Sequence, residues 1–218
     1  MGVGRKPART PLSRERVVTA AMALADAKGT AGVTMRAIAA TLGVEAMSLY
    51  NHVAGREDML GGMIDAVFAE IELPAPGGHW RQAMRERADS ARAVLRRHPW
   101  AVGLLDSRTS PGPATLRHHD AVLGTLRAAG FSVAMAAHAV SAIDSYLYGF
   151  VLQEQSLPFT GPEEFAEVSA GILRELPNQA YPHLAELVAE HTGRGYDYAE
   201  EFRFGLALIL DALHPDQA

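Results

Sequence analysis

Apolar residues recur at three- and four-residue intervals through most of the chain, which is the spacing of one face of an α-helix. No stretch beyond Ile71 shows the strict alternation that is typical of a half-buried strand. The pattern there predicts six helices, with ends marked by proline, glycine and polar residues. They run from Trp80 to Arg97, Ala114 to Ala129, Ser132 to Ser156, Pro162 to Glu175, Tyr181 to His191 and Tyr198 to Leu213. We therefore expect an all-α fold.

The N-terminal part is organised differently, with one amphipathic helix followed by two short helices between residues 34 and 56. The inner positions of the short pair are apolar: Ile38, Leu42, Val44 and Leu49. Thr34 is suited to cap the first short helix, and Gly43 is suited to end it in the left-handed conformation. Two short helices crossing around such a turn are typical of a helix-turn-helix. We expect a three-helix unit over residues 13–72, here called the head.

The outward positions of the second short helix carry methyl, hydroxyl, aromatic and amide groups. Glu45 opens this helix as a poor cap, although its charge is favourable beside a helix N-terminus. The outward side chains that follow are Ala46, Met47, Ser48, Tyr50, Asn51 and His52. Such groups suit base edges and phosphate oxygens. A solvated helix surface would have the same spacing, so the pattern alone leaves both interpretations open.

Five segments are spaced along the run from Ser13 to Ile71: Ala-Lys-Gly after the first helix, Gly-Val-Thr-Met-Arg-Ala-Ile-Ala, Leu-Gly-Val, Ser-Leu-Tyr-Asn-His-Val and Arg-Glu-Asp-Met-Leu. With these segments, the run resembles the N-terminal domain of the TetR family of bacterial transcriptional repressors. The resemblance implies that the head binds DNA through Thr34, Arg36, Glu45, Ala46, Met47, Ser48, Tyr50, Asn51, His52 and Arg56.

The resemblance also implies separate roles within this set. Arg36 would contact a base, and the sequence preference would come from the recognition-helix positions Ala46, Met47, Ser48 and Asn51. Tyr50 and His52 would contact phosphate and sugar, while Arg56 would hold the DNA backbone. Packing beneath the helix remains an alternative for Tyr50 and Met47.

Charge is unevenly distributed along the 218 residues, whose net charge is -5. Residues 1–60 contain eight Lys/Arg and five Asp/Glu, whereas residues 61–218 contain twelve and twenty. The positive charge therefore lies on the part expected to meet phosphate. Residues 1–12 form a basic N-terminal arm with Arg5, Lys6 and Arg9, which is either a disordered tail or a minor-groove arm.

The absence of cysteine excludes a disulfide framework and a thiolate metal site. No apolar run approaches the roughly 20 residues of a membrane helix, and the first twenty residues lack the apolar centre of a signal peptide. We expect a cytoplasmic protein that makes no contact with a membrane.

The helices near 132–156 and 198–213 are apolar on more than one face, which indicates either core packing or a surface shared with a second chain. The segments 126–132 and 148–155 are similar to the C-terminal domain of the tetracycline-repressor branch of the same family. This likeness favours a homodimer through both helices, with a palindromic double-stranded DNA operator.

Residues 79–215, here called the body, are expected to form a helical ligand-binding and dimerisation domain. Side chains that could line a pocket for an unknown small-molecule effector are Trp80, Met84, His98, Trp100, Leu104, Asp144, Tyr146, Phe150 and Gln153, together with Phe159. Each could equally belong to the core. The metal-chelating histidine of the tetracycline-repressor branch falls near Leu104 and Leu105, where this chain has no imidazole, so its magnesium site does not transfer. We expect no cofactor.

Two alternatives to a ligand-responsive repressor stay open. One is a DNA-binding protein that responds to no ligand. The other is a metal-dependent helical enzyme, for which the candidate ligands are His118, His119, His183, Glu186, Glu190 and His191. Adjacent histidines point about 100° apart on a helix, and the chain has no phosphate loop, nucleophile elbow or paired-carboxylate motif. We therefore do not expect an enzyme.

Overall fold

The computed structural model describes residues 11–75, 77–105, 110–159, 161–175, 181–194 and 197–216. Within these ranges the chain forms eleven α-helices and no strand, which confirms the all-α prediction. The helices are α1 (Arg14–Lys28), α2 (Met35–Leu42), α3 (Ala46–Leu49), α4 (Arg56–Glu70), α5 (Trp80–Arg97), α6 (Val102–Leu105), α7 (Pro113–Ala128), α8 (Val133–Ser156), α9 (Pro162–Glu175), α10 (Pro182–Arg194) and α11 (Tyr198–Ala212).

The ends of α2 follow from two residues. The Thr34 hydroxyl accepts a hydrogen bond from the Ala37 amide at 3.1 Å, as an N-cap does. Gly43 has φ 64° and ψ 40°, in the left-handed region that favours glycine, and the Val44 amide beyond it donates to the Ala39 carbonyl at 3.0 Å. Both sequence predictions are confirmed, and the chain turns directly into α3.

The second short helix of the motif is shorter than its pattern suggests. Regular α-helix covers only Ala46–Leu49. The next three amides bond three residues back rather than four, with Tyr50 donating to Met47 at 3.3 Å and His52 donating to Leu49 at 2.9 Å. The helix therefore tightens after its first turn, as helix ends often do. Leu49 and Val53 are both buried and hold this tightened turn against the head.

Helix α4 belongs to the cores of both the head and the body. Its buried residues include Met59 and Met63, which are fully buried, and Phe68 near its C-terminus. It packs against α1 on the head side and against α7 and α5 on the body side. The buried apolar residues of head and body consequently form one continuous cluster.

The body helices lie close to their predicted positions. The expected bounds of α5 and α9 agree with the structure, and those of α7, α8, α10 and α11 differ by one to three residues. Ser132 caps α8 by accepting from the Met135 amide at 3.2 Å. The short α6 was not predicted. Most of the N-terminal arm and the polar residues 106–109 lie outside the described residues.

Helix α8 organises the body by packing against α5, α7 and α11, while α9 and α10 pack against each other. Within the described ranges, no helix is both long and apolar enough to cross a bilayer.

Candidate functional site

The helix-turn-helix presents an exposed surface above a buried seam. Met47 is 75% exposed and Tyr50 is 49% exposed, while Ile38 and Leu49 beneath them are fully buried. Asn51 is also exposed, so two of the three side chains of the tightened turn, Tyr50 and Asn51, face solvent. Neither Met47 nor Tyr50 packs under the helix. Large apolar groups at such positions are available for contact with another molecule.

The other expected contact residues differ in exposure and in whether their polar groups are already hydrogen-bonded within the protein. Thr34, Arg36 and Glu45 are exposed, and the Arg36 side chain makes no hydrogen bond or ion pair within the described part of the chain. Ala46, Ser48 and His52 are half-buried. The Ser48 hydroxyl donates to the Glu45 carbonyl at 2.6 Å, so that donor is already used within the protein.

Arg56 is held by backbone of the head. Its guanidinium donates to the Val33 carbonyl at 2.7 Å and to the Thr30 carbonyl at 3.4 Å. Both carbonyls precede α2, so Arg56 connects the start of α4 to the segment that leads into the motif. The sequence suggested only a role on DNA for this residue, because a contact 23 residues away along the chain leaves no local pattern.

A second arginine ties α1 to the turn after α3. Arg14 makes two 2.6 Å hydrogen bonds to the Asp58 carboxylate and a 3.4 Å bond to the His52 carbonyl. Asp58 also accepts from the Ala54 amide at 2.8 Å. These bonds lower the pKa of Asp58, with the Arg14 side-chain bond the largest cause, and the same bond raises the pKa of Arg14.

The residues expected to line a ligand pocket are spread over several places. Trp80 packs edge-on against Phe131, with 4.9 Å between ring centroids. Met84 is fully buried. Tyr146 and Phe150 pack against Phe202 of α11. Phe159 packs edge-on against Phe165, and Leu104 is half-buried against the core. Gln153 lies in a shallow groove beside Tyr198.

Two further residues of that expected pocket lie between the head and the body. His98 has Nδ1 at 2.8 Å from Asp26 of α1 and Nε2 at 3.2 Å from Glu70 of α4. The indole of Trp100 donates to the same Asp26 oxygen at 2.6 Å. His98 and Trp100 therefore bind the body to both long helices of the head.

A cavity of about 610 Å³ lies between α4, α7 and α8. Its apolar wall contains Ile64 and Phe68 of α4 and Leu105 of α6. Its polar wall is formed by Thr115, His119, Ser141, Asp144, Ser145 and Tyr148. Asp144 is the one residue of the expected pocket that lines it. A mostly helical cavity of this size, with a few converging polar groups, suits a small organic ligand.

Behind Asp144 lies a buried polar cluster that the sequence did not suggest. Arg87 is almost fully buried, and it donates to Asp144 at 2.5 Å and to Nε2 of His118 at 3.0 Å. Since Nε2 accepts, the single proton of the neutral His118 ring resides on Nδ1. Burial, and then the charges of Arg87 and His119, lower the pKa of His118 to about 3. The cluster therefore combines a cation, an anion and a neutral imidazole.

The cavity wall is fastened to α4 by a helix cap. Asp65 of α4 accepts from the Thr115 amide at 2.8 Å and from its hydroxyl at 3.0 Å, at the first turn of α7. Gly112 lies so close that an added Cβ would overlap the Asp65 carboxylate.

A larger groove of about 1130 Å³ lies beside this cap, between α1, α4 and α7. Its volume exceeds the roughly 300 to 1,000 Å³ of typical small-molecule sites, whereas the smaller cavity lies within that range and is therefore the better candidate ligand site.

The candidate metal ligands do not come together. Within the described ranges, no three His, Asp or Glu side chains are close enough to hold an ion. The rings of His118 and His119 are nearly perpendicular, with centroids 5.8 Å apart. His183 and Glu186 approach to 4.0 Å on an exposed surface of α10.

Several apolar side chains of the body are exposed, among them residues of α11 and α8. On α11, Phe202, Leu206 and Leu210 are fully buried in the core. Phe204 and Leu208 point to the opposite side of the helix and are 64% and 59% exposed. On α8, Val133 and Leu152 are also exposed. Exposed apolar groups on a helix whose other side is already buried are candidates for contact with another molecule.

Comparison with known proteins identifies relatives along nearly the whole chain. Residues 17–63 match the model described as bacterial regulatory proteins, tetR family, and residues 73–215 match that of the tetracyclin repressor-like C-terminal domain. HTH-type transcriptional repressor DrrR1 of Streptomyces coeruleorubidus is 36% identical over 96% of this chain and 81% of its own length. Tetracycline repressor protein class E of Escherichia coli is 33% identical over 92% of this chain and 93% of its own length.

The fold has a solved counterpart. The crystal structure of ActR from Streptomyces coelicolor in complex with actinorhodin has a TM-score of 0.76 and 29% sequence identity. The match covers 94% of this chain and 97% of that one.

Proposed function

Because this chain belongs to the TetR family of bacterial regulatory proteins, we propose that it is a ligand-responsive transcriptional repressor that binds a specific DNA operator. The observation that carries this proposal is the exposed surface of Met47, Tyr50 and Asn51 above the buried Leu49. A major groove accepts a helix with such side chains, which can contact thymine methyl groups, bases and phosphates. Repression would follow from occupying DNA that polymerase needs.

Within this surface, Arg36 is the residue best placed for direct base recognition. Its guanidinium is exposed and unpartnered within the described residues, and arginine to guanine is the commonest specific contact. The Thr34 hydroxyl accepts the Ala37 amide but keeps its own proton, which can be donated to a phosphate oxygen.

The operator would be a palindrome bound by a homodimer in the bacterial cytoplasm. The exposed Phe204 and Leu208 of α11, together with Val133 and Leu152 of α8, support a helical interface with a second copy. Two heads related by a two-fold axis must enter major grooves about 34 to 36 Å apart. The position of the dimer interface therefore determines the spacing between the two half-sites of the operator.

The effector would be a small organic molecule bound in the cavity between α4, α7 and α8. The complex of ActR with actinorhodin supports a small organic molecule as the effector, since the two chains share the fold over nearly their full lengths. Ile64 and Phe68 belong to α4, so a ligand in the cavity touches the helix that also packs against α1. A ligand that fits one position of α4 better than another shifts the heads away from the operator-bound arrangement.

Selection of bound duplexes from random DNA tests this proposal. We expect a palindromic sequence whose half-sites lie about one helical turn apart. The change Arg36→Ala should then cost about 1 to 3 kcal/mol of specific binding and relax preference at one base pair of each half-site. Recovery of no preferred sequence would contradict the proposal, and unchanged operator affinity would remove Arg36 from the contact set.

The dimer is tested by charge placed on the exposed face of α11. We expect Phe204→Asp to produce monomers in analytical ultracentrifugation and to weaken operator binding. Leu116→Asp on α7 is the matched control, because Leu116 is 56% exposed and lies outside the proposed interface. Equal sedimentation of both variants and the unchanged protein would contradict the interface.

A further inference from the structure

The turn that follows α3 carries three expected DNA contacts, Tyr50, Asn51 and His52, and it is fixed at both ends. At its start, the fully buried Leu49 holds it to the core of the head. At its end, the Ala54 amide donates to Asp58 at 2.8 Å, and the His52 carbonyl accepts from Arg14 at 3.4 Å. One ion pair, Arg14 with Asp58, thus contacts the backbone on the far side of all three residues.

The geometry of the pair is more rigid than that of an ordinary surface ion pair. Both terminal nitrogens of Arg14 lie 2.6 Å from the two carboxylate oxygens of Asp58, and one of them also donates to the Asp58 carbonyl at 3.2 Å. Such two-bond pairing fixes orientation as well as distance. Because the side chains are 47% and 35% exposed, the pair adds little to the free energy of unfolding. Its effect on position is therefore separable from its effect on stability.

We propose that Arg14 and Asp58 are positioning residues for DNA recognition: they hold the turn of Tyr50, Asn51 and His52 in the register that fits the groove. This proposal rests on the proposed DNA-binding function. Arg14 then acts as a structural cation, already neutralised by the Asp58 carboxylate, and not as a phosphate contact. Contact geometry of this kind must be kept within about 0.5 Å. The apolar packing of Leu49 and Val53 holds the turn to the head, and the Arg14–Asp58 pair adds directional hydrogen bonds to the backbone at its C-terminal end.

Positioning and simple electrostatics predict opposite results for Asp58→Asn. Removal of a carboxylate from the head makes it more positive, which by itself strengthens binding to any DNA. Loss of the pair lets the C-terminal end of the turn shift, which weakens binding only where specific contacts are made. The informative quantity is therefore the ratio of specific to non-specific affinity.

The experiment measures binding of the full chain to the selected palindrome and to a scrambled duplex, at one salt concentration, by fluorescence anisotropy. We expect Asp58→Asn to lower the ratio about tenfold, equivalent to about 1.4 kcal/mol. Glu15→Gln is the matched control, since Glu15 is an exposed carboxylate of α1 that makes no side-chain bond within the described residues. It removes the same charge and should leave the ratio within about twofold of the unchanged protein.

A second variant covers the case in which Asp58→Asn does not fold. Arg14→Lys keeps the charge but cannot form the two-bond pair, and it should also lower the ratio. A ratio unchanged in the folded variants would overturn the positioning role while leaving the proposed function intact. If the unchanged protein selects no preferred sequence, the proposed function fails first, so the two failures are distinguishable.

Discussion

The buried His118 makes the stability of this protein depend on pH in a way that can be predicted. The folded state holds its imidazole neutral, with a pKa lowered from 6.5 to about 3 by burial and by the charges of Arg87 and His119. Below about pH 6.5 the His118 imidazole of the unfolded chain binds a proton, whereas that of the folded chain stays neutral until the pH approaches 3. The contribution of His118 is therefore fully present above that pH and is lost as the pH falls toward 3.

The size of this loss of stability at a given pH follows from how far that pH lies below the pKa of His118 in the unfolded chain. Each pH unit below the unfolded pKa costs about 1.4 kcal/mol once the unfolded histidine is mostly protonated. At pH 5.0 the loss from this one residue is about 2 kcal/mol. Native-state stabilities are typically 5 to 15 kcal/mol, so the effect is measurable.

Urea unfolding followed by circular dichroism at pH 7.5 and pH 5.0, at one protein concentration, tests this value. The variant His118→Gln keeps an oxygen that can accept from Arg87 but cannot titrate, so its stability should fall about 2 kcal/mol less between the two pH values. The control His183→Gln, on the exposed surface of α10, should behave as the unchanged protein does. Parallel losses for His118→Gln and the unchanged protein would refute the reasoning.

Three further substitutions have expected outcomes that thermal or urea unfolding can check. Gly112→Ala should lower the free energy of unfolding by about 1 to 3 kcal/mol, because the added Cβ overlaps the Asp65 carboxylate. Gly124→Ala, in open space on α7, should raise it slightly. Equal effects of the two changes would contradict the close approach of Gly112 to Asp65. Thr34→Ala should cost about 1 kcal/mol through the lost cap of α2, and Thr34→Ser should restore most of it. Leu49→Ala should cost about 3 to 5 kcal/mol by opening a cavity under the turn, and a cost below 1 kcal/mol would show that the site collapses.

The sequence predicted the fold well because the relevant signals are local. Thr34 and Gly43 act on backbone groups three or four residues away, so their roles are visible in a short window. The same holds for the start of α8 at Ser132. The tightening after Leu49 has no such local signal in the sequence, and the buried Val53 lies directly beyond it.

The binding sites were harder to predict because their contacts join distant residues. Arg87 looks like a solvated arginine on an amphipathic helix, yet its partners His118 and Asp144 lie 31 and 57 residues further along the chain. Arg56 likewise has a partner far away in sequence, Val33, which lies 23 residues earlier in the chain. Aromatic residues such as Phe150 are suited to a pocket by type, but the packing of α8 on α11 buries this one in the core.

Helix α4 sets a condition for building chimaeric sensors from this protein. Its N-terminal half fits the head, where Asp58 meets Arg14, and its C-terminal half fits the body, where Asp65 caps α7 and Phe68 lines the cavity. A junction placed before α4 would separate the first set of contacts, and one placed after it would separate the second. A working hybrid with a foreign head must therefore be joined within α4, near Gly61 or Gly62, with each half kept beside its native neighbours.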